Sequence, residues 1–79
     1  MNKYEVAIDI ATGTGFLAKH FSSIFKKSIG TDVSEAQIKQ ASESHKDVNL
    51  EFKILDVKHL PEFLAREKLE NQVDLFSIG

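Results

Sequence analysis

Short apolar runs alternate along this chain with segments whose apolar residues recur every three to four positions. Tyr4–Ile10 reads as a strand, with Val6, Ile8 and Ile10 on one face that Tyr4 begins. Ala11-Thr12-Gly13-Thr14-Gly15 breaks it. From Phe16 the period becomes helical through Leu17, Phe21, Ile24 and Phe25, and Lys26 and Lys27 close that helix, where cations suit the negative dipole end. Ser28–Asp32 is a second strand. Ser34 opens a second helix that runs to about His45, and Gln37 completes a capping-box pattern. Val48 or Asn49 to Leu55 is a third strand, with Leu50, Phe52 and Ile54 on one face. Pro61 suits the first turn of a third helix striped by Leu60, Phe63, Leu64 and Leu69, on which Glu62 and Arg66 can pair. Val73–Ile78 is a fourth strand, and Gly79 follows it.

The order β-α-β-α-β-α-β implies parallel pairing through right-handed crossovers, as in the first half of a doubly wound α/β sheet. The six phenylalanines, Phe16, Phe21, Phe25, Phe52, Phe63 and Phe76, are expected in the core.

Length and composition narrow the picture further. Seventy-nine residues make one domain, 1–79, of a size that buries only roughly 60–65% of its unfolded surface. Hydrophobic residues at 42% and charged residues at 28% exclude a disordered or collagen-like chain. Ten basic and twelve acidic residues are well mixed, so no basic field draws in nucleic acid or an anionic membrane. Cysteine is absent, which excludes disulfides, thiolate zinc sites and a catalytic thiol. His20, His45 and His59 are scattered, and no metal site is expected. Lys3 is a single charge and the run Val6-Ala7-Ile8 stops at Asp9, so the N-terminus carries no export signal. No apolar stretch spans a bilayer, and the chain is expected in the cytoplasm.

Candidate chemistry gathers at one edge. In such sheets ligands bind beyond the carboxyl ends of the strands, near the point where strand order reverses. The first strand ends in Asp9 and the glycine turn, the second at Asp32, the third at Asp56. A helix from Phe16 to Lys26 descends about 16 Å. A strand to Asp32 climbs back about 15 Å. Asp32 therefore returns beside the turn, and Asp56 one strand further out. Gly13 and Gly15 leave room where backbone turns tightly and approaches a ligand. Asp32 can accept from ribose hydroxyls, Asp56 from an exocyclic amine and Asp9 from an ammonium group. Each has a plainer reading as well. Asp32 can serve the start of the Ser34 helix, Asp56 can cap a turn before His59, and Asp74 reads as a loop-to-strand residue.

Val6 to Gly15 resembles motif I of the class I S-adenosylmethionine-dependent methyltransferases, an acid followed by glycines at alternate positions. Ala11 stands where the first glycine usually lies. Ile29-Gly30-Thr31-Asp32-Val33-Ser34 resembles the family's second motif, with the ribose-binding acid at Asp32. Phe52-Lys53-Ile54-Leu55-Asp56-Val57, followed by Leu60-Pro61, resembles the adenine-side motif, and Val73-Asp74-Leu75-Phe76 the start of its fourth strand. Within the family the chain is most similar to small-acid methyltransferases of the trans-aconitate type.

The resemblance implies a Rossmann-like sheet of order 3-2-1-4 and S-adenosylmethionine as cofactor, held by Asp9, Ala11, Thr12, Gly13, Gly15, Asp32, Val33, Asp56 and Val57. It implies a methyl acceptor that is a small molecule, and it assigns no catalytic residue. The family's domain has seven strands and this chain offers four, so a truncated domain is expected. Its fourth strand would be an uncovered edge that self-associates or takes a partner chain. A non-catalytic remnant of the same fold is the alternative. So is half of a dinucleotide-binding oxidoreductase, since Gly13-x-Gly15-x-x-Ala18 loosely fits that fingerprint. Asp9 argues against the latter, because its carboxylate would face a pyrophosphate.

Overall fold

The computed structural model describes residues 4–78; Lys3 and Gly79 lie outside the described residues. Strand β1 is Tyr4–Ile10, helix α1 Phe16–Phe21, β2 Phe25–Asp32, α2 Glu35–Ser44, β3 Leu50–Ile54, α3 Leu60–Arg66 and β4 Val73–Ile78, with a 3-10 turn Val57–His59 leading into α3. The strands form one parallel sheet in the order β3-β2-β1-β4. This is the expected α/β arrangement. Successive right-handed crossovers step outward from β1 to β3, and the third returns across the sheet to β4. Helix α3 therefore covers the face opposite to α1 and α2, and the order reverses between β1 and β4.

The α3 face holds the main hydrophobic core. Val6, Ile8 and Ile29 pack there against Phe63 and Leu69, with Ile10, Leu55, Leu60, Leu64 and Val73 around them. Each large side chain buried in this way contributes about 1.5–3 kcal/mol. The other face is built from small residues. Ala7, Ala18, Ser28 and Ala41 are fully enclosed, and the Ser28 hydroxyl donates to the Ala18 carbonyl at 2.7 Å. Small side chains let α1 and α2 lie close on the sheet and bring their connecting turns over its carboxyl edge.

Four local expectations are corrected. Helix α1 ends at Phe21 and not at Lys26–Lys27, because the hydroxyls of Ser22 and Ser23 bond back to the carbonyls of Lys19 and His20 and close the turn. Phe25 to Lys27 then join β2, where Phe25 pairs with Tyr4 and Lys27 with Val6, and Lys26 and Lys27 reach Glu5 and Glu51 on the flanking strands. Glu62 pairs with His59 at 2.9 Å and not with Arg66. Leu69 lies beyond α3, returned to the core after Lys68 takes a left-handed conformation at φ 60°. Of the phenylalanines, Phe25 and Phe63 are buried, whereas Phe16 is 73% and Phe76 46% exposed.

Strand β4 pairs with β1 and occupies one end of the described sheet. Register slips between Val6 and Ala7, so that Asp74 has no cross-strand partner, and its carboxylate accepts the Glu5 amide instead. Asp74 lies inside β4, as its second residue, and not in the loop before it. Among the described residues no helix is long and apolar enough to cross a membrane.

Candidate functional site

One row of residues crosses all four strands just below the carboxyl edge: Phe52 on β3, Gly30 on β2, Asp9 on β1 and Ser77 on β4. Much of what shapes the turn after β1 lies in this row or at the tip of β2 above it.

The turn runs through three left-handed residues at alternate positions, Ala11 at φ 60°, Gly13 at 59° and Gly15 at 90°. Alternate reversal coils the backbone tightly and lets α1 start directly, with the Lys19 amide donating to the Gly15 carbonyl at 2.9 Å. The two glycines do different things. A Cβ on Gly15 would stand 2.8 Å from the Phe52 ring and 3.0 Å from the Ala41 methyl, so Gly15 lets the turn pack down. A Cβ on Gly13 would meet nothing within 4 Å, so Gly13 presents bare backbone to open space. Ala11 adopts the same conformation with a side chain, at a steric cost of about 1–2 kcal/mol.

Three consecutive residues of β2 hold this turn. Gly30 leaves space for Thr12, since a Cβ there would lie 2.7 Å from Thr12 Oγ1. Thr31 accepts the Thr12 amide on its carbonyl at 2.7 Å and donates its hydroxyl to the Asp9 carbonyl at 3.3 Å. Asp32 accepts the Gly13 amide on Oδ2 and the Ser34 amide on Oδ1, both at 3.0 Å. Asp32 thus returns beside the turn, and its plainer role at the start of α2 holds at the same time. Ser34 itself accepts the Gln37 amide, as the capping pattern requires.

Asp9 is 1% exposed. Its Oδ2 accepts from the Thr12 hydroxyl at 2.8 Å, and its Oδ1 has no hydrogen-bond partner among the described residues. Burial pushes its carboxyl above the ordinary value, and the hydroxyls of Thr12 and then Ser77 act against that shift. Asp56 is half-buried and caps the 3-10 turn, with Oδ1 accepting the Lys58 amide at 3.1 Å. Val33 and Val57 follow Asp32 and Asp56 at neighbouring strand ends, and both are more than half exposed. The candidate residues therefore converge, with Asp9 and Thr12 below the turn, Ala11, Gly13 and Gly15 in it, and Asp32, Val33, Asp56 and Val57 along the rim. Among the described ion pairs none involves Asp9, Asp32 or Asp56. A separate cavity of about 340 Å³ lies at the amino end of the sheet, lined by Tyr4, Phe25, Asp74 and Leu75.

Residue-by-residue reading missed Gly30, Thr31 and Ser77 as parts of the site. Strand pairing was the available signal for the first two, because Gly30 and Thr31, just before Asp32, lie level with Asp9 and Ile10 at the end of β1.

The sequence matches the profile of the methyltransferase domain over residues 7–77. The chain belongs to the methyltransferase domain family. A solved S-adenosylmethionine-dependent methyltransferase from Anabaena variabilis ATCC 29413 is 28% identical to this methyltransferase domain, over 92% of the present chain, with a TM-score of 0.73. The present chain spans 30% of that protein's length. A ribosomal protein L11 methylase from Lactobacillus delbrueckii subsp. bulgaricus shares the fold, with 19% identity, a TM-score of 0.59, and 99% of this chain lying over 54% of that one. No curated protein matches significantly. Family membership decides against the dinucleotide-binding oxidoreductase alternative.

Proposed function

We propose that this methyltransferase domain binds S-adenosylmethionine across the carboxyl edge of its sheet and serves transfer of the methyl group to a small-molecule acceptor. The observation that carries this reading is the pairing of two acids through one turn: the backbone of Gly13 faces open space between buried Asp9 and half-buried Asp32.

The residues present fit the cofactor. Asp9 Oδ1 is a buried acceptor without a donor, which suits an ammonium group. Each Asp32 oxygen already holds one backbone amide but keeps further accepting capacity for ribose hydroxyls. Val33 and Val57 offer exposed apolar surface at adjacent strand ends for a flat base, with Asp56 beside them to accept an exocyclic amine. When bound, S-adenosylmethionine supplies a methyl group on a sulfonium centre, open to in-line displacement. The chain's own contribution is to bind and orient: the rigid turn sets the distance between the two acids, and enclosure of Asp9 strengthens its attraction for a cation.

Calorimetric titration with S-adenosylmethionine, S-adenosylhomocysteine and NAD tests the reading. The first two are expected to bind, and Asp32→Ala to weaken S-adenosylhomocysteine by at least roughly tenfold, since hydrogen bonds to a charged group contribute about 1.5–3 kcal/mol each. Tighter binding of NAD, or equal binding by the variant, would overturn it.

A further inference from the structure

The cavity at the amino end of the sheet, about 340 Å³ in volume, is walled by Tyr4, Phe25, Asp74 and Leu75. We propose that it is a second ligand site, for a small organic cation: an ammonium group carried on an apolar body. The site is independent of the cofactor reading, because the seven residues of β1 hold it about 20 Å from the glycine turn.

Two of its walls are aromatic. Tyr4 and Phe25 are cross-strand partners, with ring centroids 5.4 Å apart and planes tilted by 35°. Phe25 is buried and braced by the Phe21 ring, edge-on at 5.7 Å. Tyr4 is 61% exposed, so much of its ring remains for a ligand to cover. The faces of such rings are electron-rich and attract a cation. The single acid is built into place. Val6 pairs with Val73 and Ala7 with Leu75, which leaves Asp74 between them as an extra residue on β4. A bulge of this kind re-aims a side chain. Asp74 Oδ2 accepts the Glu5 amide, which fixes the carboxylate while leaving it further accepting capacity. The neighbouring charges are spent on one another, since Lys26 reaches Glu5 at 3.0 Å. Among the described ion pairs none involves Asp74. An apolar, aromatic wall beside one fixed negative charge favours an organic cation over three other classes. A neutral apolar molecule gains nothing from the carboxylate, an anion is repelled by it, and a hydrated metal ion needs more oxygen ligands than one acid supplies.

NMR titration of the ¹⁵N-labelled chain with benzylammonium, and with benzyl alcohol as the neutral molecule of similar shape, tests the site. Benzylammonium is expected to shift the amides of Glu5, Phe25, Asp74 and Leu75 saturably, to leave those of Gly13 and Ser34 unmoved, and to bind roughly threefold more tightly than benzyl alcohol. Raising the salt concentration should shrink that preference. Asp74→Asn keeps an oxygen for the Glu5 amide and removes the charge; it is expected to weaken benzylammonium by roughly two- to fivefold and benzyl alcohol not at all. Tyr4→Leu, at an exposed position that tolerates change, is expected to weaken benzylammonium by roughly two- to fivefold and keeps the test decisive if Asp74→Asn does not fold. Equal affinity for the two probes, no saturable shift at the cavity, or unchanged affinity in a folded variant would overturn the site while leaving the cofactor reading intact.

Discussion

The Gly13 amide donates to the Asp32 carboxylate at 3.0 Å, a hydrogen bond between residues nineteen apart in sequence. The acid proposed to read the ligand's ribose therefore also holds the turn that faces the ligand. Asp32→Ala is expected to lower stability by about 2 kcal/mol with no ligand present, because two backbone amides, those of Gly13 and Ser34, lose a charged acceptor together. Urea unfolding of the ligand-free chain checks this; unchanged stability would mean that the carboxylate acts on the ligand alone.

Gly30→Ala is expected to destabilise the fold by about 1–3 kcal/mol, since the new methyl would lie 2.7 Å from Thr12 Oγ1 and 2.8 Å from the Phe52 ring. Phe52→Leu in the same chain should recover part of the loss by thinning the ring, but not the contact with Thr12. A double-mutant cycle on thermal or urea unfolding measures the coupling, and strict additivity would exclude contact through Phe52.

Ala11→Gly is expected to stabilise the chain by about 0.5–1 kcal/mol. Relief of a left-handed L-residue at φ 60° is worth about 1–2 kcal/mol, and the added freedom of glycine in the unfolded chain offsets part of it. A shift of the urea midpoint at constant slope reports the gain. A loss of stability would show that the Ala11 methyl makes contacts that outweigh the strain.

The Asp9 carboxyl is pushed up by burial from an ordinary value of 3.8. The folded chain then holds this proton more tightly than the unfolded chain. The stabilising contribution is complete below the unfolded value and is lost as pH rises through the folded one. Asp9→Asn removes that dependence. The variant is accordingly expected to gain stability relative to wild type on going from acid to neutral pH, in the absence of ligand. Parallel urea titrations across that range decide the sign; a difference that shrinks toward neutrality would mean that Thr12 and Ser77 outweigh burial.

Much of this was legible from local chemistry. Alternation in Tyr4–Ile10, the change of period at Phe16 and the run Ala11–Gly15 mark strand, turn and helix without any neighbour, because side-chain direction repeats every two residues in a strand and every 3.6 in a helix. Asp32 does return beside the turn, but not by the lengths expected: α1 has 6 residues where eleven were expected, and β2 has 8 where five were. The end of α1 was not legible in the same way: Ile24 and Phe25 continue the helical period, and pairing of Phe25 with Tyr4 draws them into β2. Nor was the exposure of Phe16 and Phe76, because apolar character says that a side chain gains by burial and not whether the fold supplies cover. The roles of Gly30, Thr31 and Ser77 belong wholly to the tertiary structure. They act on Asp9 and Thr12 from strands 18 to 68 residues away along the chain. Sequence alone determined which residues could turn, cap or carry charge; parallel register decided which of them stand side by side, because it depends on how every strand packs against its helices at once.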